Sequence, residues 1–206
     1  MNIAGDVQRF ILIFTRVAAV LWLIPLFSSK AVSVPFKAGF SLLVAYLLYD
    51  SVGVGQFFGN DPFLLLLLVF KEMFIGLAIG FFVQLLFMAM NVAGEVIAIQ
   101  SSFSFARFMD PTTMTNVTVI EQFKNLLAMM IFLAIDAHHI LIHAMAASFN
   151  GVPIGALTIQ PSFYQYLIST AGRVLVVGFK IGAPVTVTLF LVELALGLLS
   201  RMIPQI

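Results

Sequence analysis

Cysteine is absent from all 206 residues, which removes disulfides, thiolate nucleophiles and sulfur-bound metal from consideration. Charge is scarce as well. Lys and Arg number 10 against 9 Asp and Glu, a formal balance of +1, so the chain offers no basic field for nucleic acid. Sustained period-2 alternation is lacking, which leaves helices as the only plausible spanning elements. The features of a cleaved signal peptide are missing too. Asp6 precedes the first apolar run, the run exceeds a typical h-region, and no small-residue cleavage site follows Pro25. What is present is hydrocarbon. Hydrophobic residues make up 62% and mean hydropathy is +1.12, beyond what a soluble domain of this size can bury. Lipid or apolar partner subunits must cover that surface, and the chain reads as an all-α integral membrane protein.

Turn-rich breaks separate five hydrophobic stretches. The first covers 10–27, with Arg16 inside it and Pro25 near its end. The second, 34–49, reaches only ~24 Å as a helix, short of a ~30 Å hydrocarbon core. The third, 63–105, would reach ~60 Å in one piece, about twice what is needed. It carries Lys71, Glu72 and Glu95, each costing roughly 2.5–3.5 kcal/mol at a helix centre if it faces lipid. The fourth and fifth stretches cover 126–147 and 174–199, and loops fall at 50–62, 104–122 and 150–161. These lengths suit helical hairpins, some half-inserted, or long helices packed into an assembly outside the bilayer. An obligate complex is expected. Lys30 and Lys37 flank the first turn, whereas the 50–62 loop is flanked by Asp50 and Asp61 and lacks Lys and Arg. The positive-inside rule therefore puts the first turn in the cytoplasm, with the terminal turn at Arg201, and the 50–62 loop outside.

Small residues four apart mark helix faces where another backbone can approach. Gly76 with Gly80 and Gly178 with Gly182 both qualify, and Ala89 with Ala93 continues such a face. Two glycine matches in one chain favour packing, within the chain or with a partner. Ionisable groups in apolar segments are functional candidates by default. Asp136, His138, His139 and His143 form the densest cluster. His139 and His143 share a helical face, as a metal pair would, but Ile140, Leu141 and Ile142 occupy the place of the glutamate base a zinc hydrolase needs. Proton handling through Asp136 and simple contact with neighbouring helices or headgroups are the other readings, contact being the commonest role. Lys180 and Glu193 are too far apart to pair on one helix, and Lys71 and Glu72 are adjacent and cannot face each other. The 104–122 segment mixes bulky apolar residues with Asp110-Pro111 and threonines. Non-helical backbone at membrane depth is tolerated only when buried in protein or facing a water-filled cavity. A gate and a surface loop are both open readings.

Several of these residues stand in a recognisable order. Ala93-Gly94-Glu95 and Gln100 precede Phe105 and Asp110-Pro111. Ser148-Phe149 and Pro153-Ile154-Gly155 follow, then Pro184, the run Leu194-Ala195-Leu196-Gly197-Leu198-Leu199, Arg201 and Pro204-Gln205. With the early Arg16 and Pro25-Leu26, this set covers nearly the whole chain and resembles the flagellar biosynthetic protein FliR family. There are departures. Ser101-Ser102 stands where the family usually has Met-Gly, and Ala137-His138 where it has Gly-His. The family continues past Pro-Gln with another hydrophobic helix, so a piece of a longer chain is expected here.

The resemblance implies a non-enzymatic export-gate subunit of the flagellar type III secretion apparatus in the bacterial inner membrane. Such proteins assemble with FliP and FliQ into a hetero-oligomeric helical funnel, beside FlhB and FlhA, through which unfolded flagellar proteins pass. The virulence injectisome homologue shares the motifs. Further implications are a FliP-like part over about residues 1–165 and the first arm of a FliQ-like hairpin over about 166–206. Loop 104–122 would be a luminal plug built on Phe105, Arg107, Phe108, Met109, Asp110 and Pro111. Gly76, Gly80, Gly94, Gly178 and Gly182 would serve helix packing. Glu95, Asp136, His138, His139, Lys180 and Glu193 remain the intramembrane polar candidates. No cofactor, no metal and no nucleic-acid partner is expected.

Overall fold

The computed structural model describes residues 3–28, 32–52, 59, 61–100, 119–157 and 161–202. Every regular element among them is a helix: α1 (Ile3–Leu23), α2 (Pro25–Ser28), α3 (Val34–Tyr49), α4 (Pro62–Gln100), α5 (Val119–Ala134), α6 (Ala137–Gly151) and α7 (Pro161–Met202). Two of them, Pro62–Gln100 and Ser162–Met202, are long and apolar enough to cross a membrane, and α5 with α6 would make a third as one broken span. The protein is an all-α membrane protein.

The third hydrophobic stretch, as far as residue 100, lies in one unbroken helix of 39 residues, about 58 Å long at 1.5 Å per residue. Asp61 starts it by accepting the Phe63 N–H at 3.0 Å, with Pro62 at the first helical position, where its missing donor costs nothing. The fourth stretch is where expectation fails. It breaks at Ile135–Asp136, because Asp136 adopts a left-handed conformation with φ 54° and opens α6. The fifth begins well before residue 174. Its first turns, from Pro161, carry Gln165, Ser169, Thr170 and Arg173, a polar composition that hides a helix from a hydropathy reading. Pro184 is accommodated inside α7, and Thr188 Oγ1 donates to the Pro184 carbonyl at 2.8 Å.

The chain divides into two compact units. The first comprises Met1–Gln84 and Phe132–Phe163, the second Leu85–Ile131 and Tyr164–Ile206. In the first, α1 packs along α3. Leu12, Ile13, Val17 and Val20 put one face of α1 wholly out of solvent, and Val44, Ala45, Leu48, Leu141, Met145 and Phe149 join the same core. In lipid this core is held by close packing rather than by exclusion of water, since lipid tails are as apolar as the side chains. Gly76 and Gly80 fix the approach of α4 to α1. A Cβ on Gly76 would strike the Arg16 carbonyl and Ala19, and one on Gly80 would come within 2.8 Å of Leu23 Cβ. The end of α3 is tied down by Arg9, which donates to the carbonyls of Tyr49 and Val52 and stacks on the Tyr49 ring at 4.3 Å.

In the second unit, α7 lies directly on α4. A Cβ on Gly178 would sit 2.8 Å from the Ala89 carbonyl oxygen and from Val92 Cβ, and one on Gly182 would sit 3.3 Å from the Ala93 carbonyl. Small residues therefore face small residues across this contact, and both glycine pairs pack within the chain.

Candidate functional site

The first unit buries two opposite charges in its interior. Arg16 and Glu72 are 1% and 0% exposed and form an ion pair, Nε to Oε2, at 2.6 Å. Neither stands at a helix end. Arg16 lies about two turns before the end of α1 and Glu72 about three turns into α4. Their helices can come close enough for this contact because Gly76, one turn beyond Glu72, leaves the Arg16 backbone unobstructed.

The pair has further partners in the segment that ends α6. Arg16 Nη1 and Nη2 both donate to the Val152 carbonyl at 3.1 Å, and Nη1 donates to Ser148 Oγ at 3.3 Å. Ser148 in turn donates to the Met145 carbonyl at 2.6 Å. The guanidinium also lies over the Phe149 ring at 4.0 Å, where the ring's negative face attracts a cation. Glu72 Oε1 accepts the Gly155 N–H at 2.9 Å, and Lys71 Nζ donates to the Gly155 carbonyl at 3.3 Å. Four fan-shaped donors of arginine and two carboxylate oxygens are thereby satisfied without water, as a buried pair requires. Removing one partner would strand the other at a cost of about 3–5 kcal/mol.

Lys71 and Glu72 do not face each other, as expected, yet they reach the same residue, one at its carbonyl and the other at its amide. The Arg16–Glu72 pairing was not anticipated, since 56 positions separate the two. A signal existed: a lone cation and a lone anion in apolar helices usually find each other. The motif pieces Arg16, Ser148-Phe149 and Pro153-Ile154-Gly155 meet here, three segments that the sequence could only align in order.

The other sequence-derived candidates are dispersed. Asp136, His138 and His139 bring ligand atoms within 4.8 Å of one another, with His139 Nδ1 3.5 Å from Asp136 Oδ1. The side chains of His139 and Asp136 are 64% and 72% exposed, and His138 is half-buried. Successive residues on a helix also diverge by about 100°, and His143 is no part of the group. Lys180, Glu193 and Glu95 are exposed on their helices. Gly94 is buried and meets the side chain of Lys124 on α5. Phe105, Arg107, Phe108, Met109, Asp110 and Pro111 lie outside the described residues.

Long apolar helices, glycine-mediated packing and a charge pair satisfied wholly within protein define an integral membrane protein built for contact with lipid and other helices. Its similarities are specific. The family model described as "Bacterial export proteins, family 1" matches residues 7–206. The flagellar biosynthetic protein FliR of Bacillus subtilis is 31% identical over 202 residues, covering 96% of this chain and 77% of the relative. Those of Pectobacterium carotovorum and Escherichia coli are 32% and 31% identical, covering 97% and 93% of this chain and 76% and 73% of theirs. The chain belongs to the bacterial export proteins of family 1, the family of flagellar FliR.

Proposed function

We propose that this chain is the export-gate subunit of a flagellar type III secretion apparatus in the bacterial inner membrane. In this reading it joins FliP and FliQ in a channel for unfolded flagellar proteins, with FlhB and FlhA alongside. The observation that carries the reading is the family match over residues 7–206, together with relatives that bear the flagellar name. That name favours the flagellar system over the virulence injectisome. Two structural features support a packed assembly. Helices α4 and α7, with 39 and 42 residues, are each longer than a bilayer needs. Both are rich in exposed apolar side chains, among them Phe81, Leu86, Phe179, Leu191 and Leu198.

The action is mechanical. An aqueous channel through the inner membrane would dissipate the proton gradient, so it needs a closure. The segment 104–122, whose last four residues are the first turn of α5, supplies it as a luminal plug, with Phe105, Phe108 and Met109 filling the constriction and Arg107, Asp110 and Pro111 shaping the turn. Passage of a substrate displaces the plug. On the same reading, residues up to about 165 correspond to a FliP-like part and the remainder to the first arm of a FliQ-like hairpin. The test is deletion of residues 107–115 in cells that produce the complete apparatus. The deletion should leave assembly intact and make the membrane leak ions. Unchanged leakage in assembled complexes contradicts the plug.

A further inference from the structure

The backbone from 152 to 155 raises a problem that the export reading leaves untouched. It is not helical: Val152 is extended, with φ −131° and ψ 92°, and Gly155 has φ 77°. Val152, Ile154 and Gly155 are half-buried, and the segment meets α1 about two turns before its end and α4 about three turns in, beside Arg16 and Glu72, which solvent does not reach. Irregular backbone in such a place must find its hydrogen-bond partners in protein. Two backbone bonds serve it, from the Val152 N–H to the Ser148 carbonyl at 2.8 Å and from the Ala156 N–H to the Pro153 carbonyl at 3.0 Å.

Side chains supply further partners. Arg16 places two donors on the Val152 carbonyl, Glu72 places an acceptor on the Gly155 amide, and Lys71 places a donor on the Gly155 carbonyl. We infer that Arg16 and Glu72 are positioning residues whose task is to hold this turn at depth. They serve its backbone as water would, and the ion pair is how two buried charges coexist while doing so. The polarity is set by the backbone. The cation must come from α1, where the carbonyl is, and the anion from α4, where the amide is. A pair kept only to neutralise itself has no such requirement, and well-packed apolar residues could replace it.

The two roles separate experimentally, and the absence of native cysteine makes the chain a ready background for single-cysteine probes. Ile154 packs against the core of the first unit, so an Ile154→Cys probe should resist a membrane-impermeant maleimide in native membranes. Adding Arg16→Met with Glu72→Leu removes both charges together while keeping apolar bulk. Labelling should then rise by roughly tenfold or more, since the turn has lost its partners. The charge exchange Arg16→Glu with Glu72→Arg should fail likewise, because it sets carboxylate against carbonyl and guanidinium against amide. Protection equal to the parent's in either double variant overturns the inference. The unmodified chain supplies a check that no folding defect can obscure. Its Gly155 amide should exchange hydrogen as slowly as the amides of α6, and rapid exchange overturns the inference directly.

Discussion

The two units hold their helices together by different means. In the first, α4 meets α1 through Gly76 and Gly80, and a complete polar network is sealed into the contact. In the second, α4 meets α7 through Ala89, Ala93, Gly178 and Gly182, and the charged candidates Glu95, Lys180 and Glu193 are all exposed. The first unit therefore satisfies the buried Arg16–Glu72 pair within itself. In the second, α4 and α7 meet along a seam of small residues with Val92, and many apolar side chains of both helices are exposed. The comparison teaches that glycine spacing alone brings helices together, whereas a buried ion pair also orders the segment between them.

Breaking the first unit should have the largest effect. Arg16→Met leaves Glu72 charged and buried, and should cost about 3–5 kcal/mol, read as a lower midpoint in denaturant titration of the extracted protein. Gly76→Val comes next. Its new side chain collides with the Arg16 carbonyl and Ala19, neither of which is a flexible group that can swing away. A loss of about 3 kcal/mol is expected by analogy with overpacked cores, and thermal unfolding in detergent would show it.

The second unit sharpens the contrast on a finer scale. Gly178→Ala should cost about 1–3 kcal/mol, because its Cβ would come within 2.8 Å of a backbone oxygen. At Gly182 the added Cβ would meet the Ala93 carbonyl oxygen at 3.3 Å, a tight contact but a milder one, and Gly182→Ala should cost no more than about 1 kcal/mol. Equal effects from the two alanines would mean that this seam is not packed as described. Smallest of all should be Asp136→Asn and Glu193→Gln. Both side chains are exposed, and swimming motility should stay at the parental level. Loss of motility in either, with the protein present at normal amounts, would revive a proton-carrying role.

Local features of the sequence account for much of the architecture. Apolar run lengths located the helices, the two glycine pairs marked real contacts, and ordered motifs pointed to the family. Three things were hidden, each for a physical reason. The Arg16–Glu72 pair joins distant positions, and no local pattern states which charge meets which. The break before α6 comes from a left-handed Asp136, with neither glycine nor proline to announce it. The early start of α7 is masked because its first turns are polar, a face compatible with a helix end that leaves the apolar zone. The motif around Pro153-Ile154-Gly155 was visible as a signature, but its reason lay in side chains from α1 and α4.

The central claim is that the exposed helices of this membrane protein are covered by other subunits of an export gate. Native mass spectrometry of the gently extracted protein, co-expressed with its neighbouring membrane genes, tests it most directly. The account predicts a large complex holding one copy of this chain among several copies of two smaller partners. A monomer or a homodimer would contradict it.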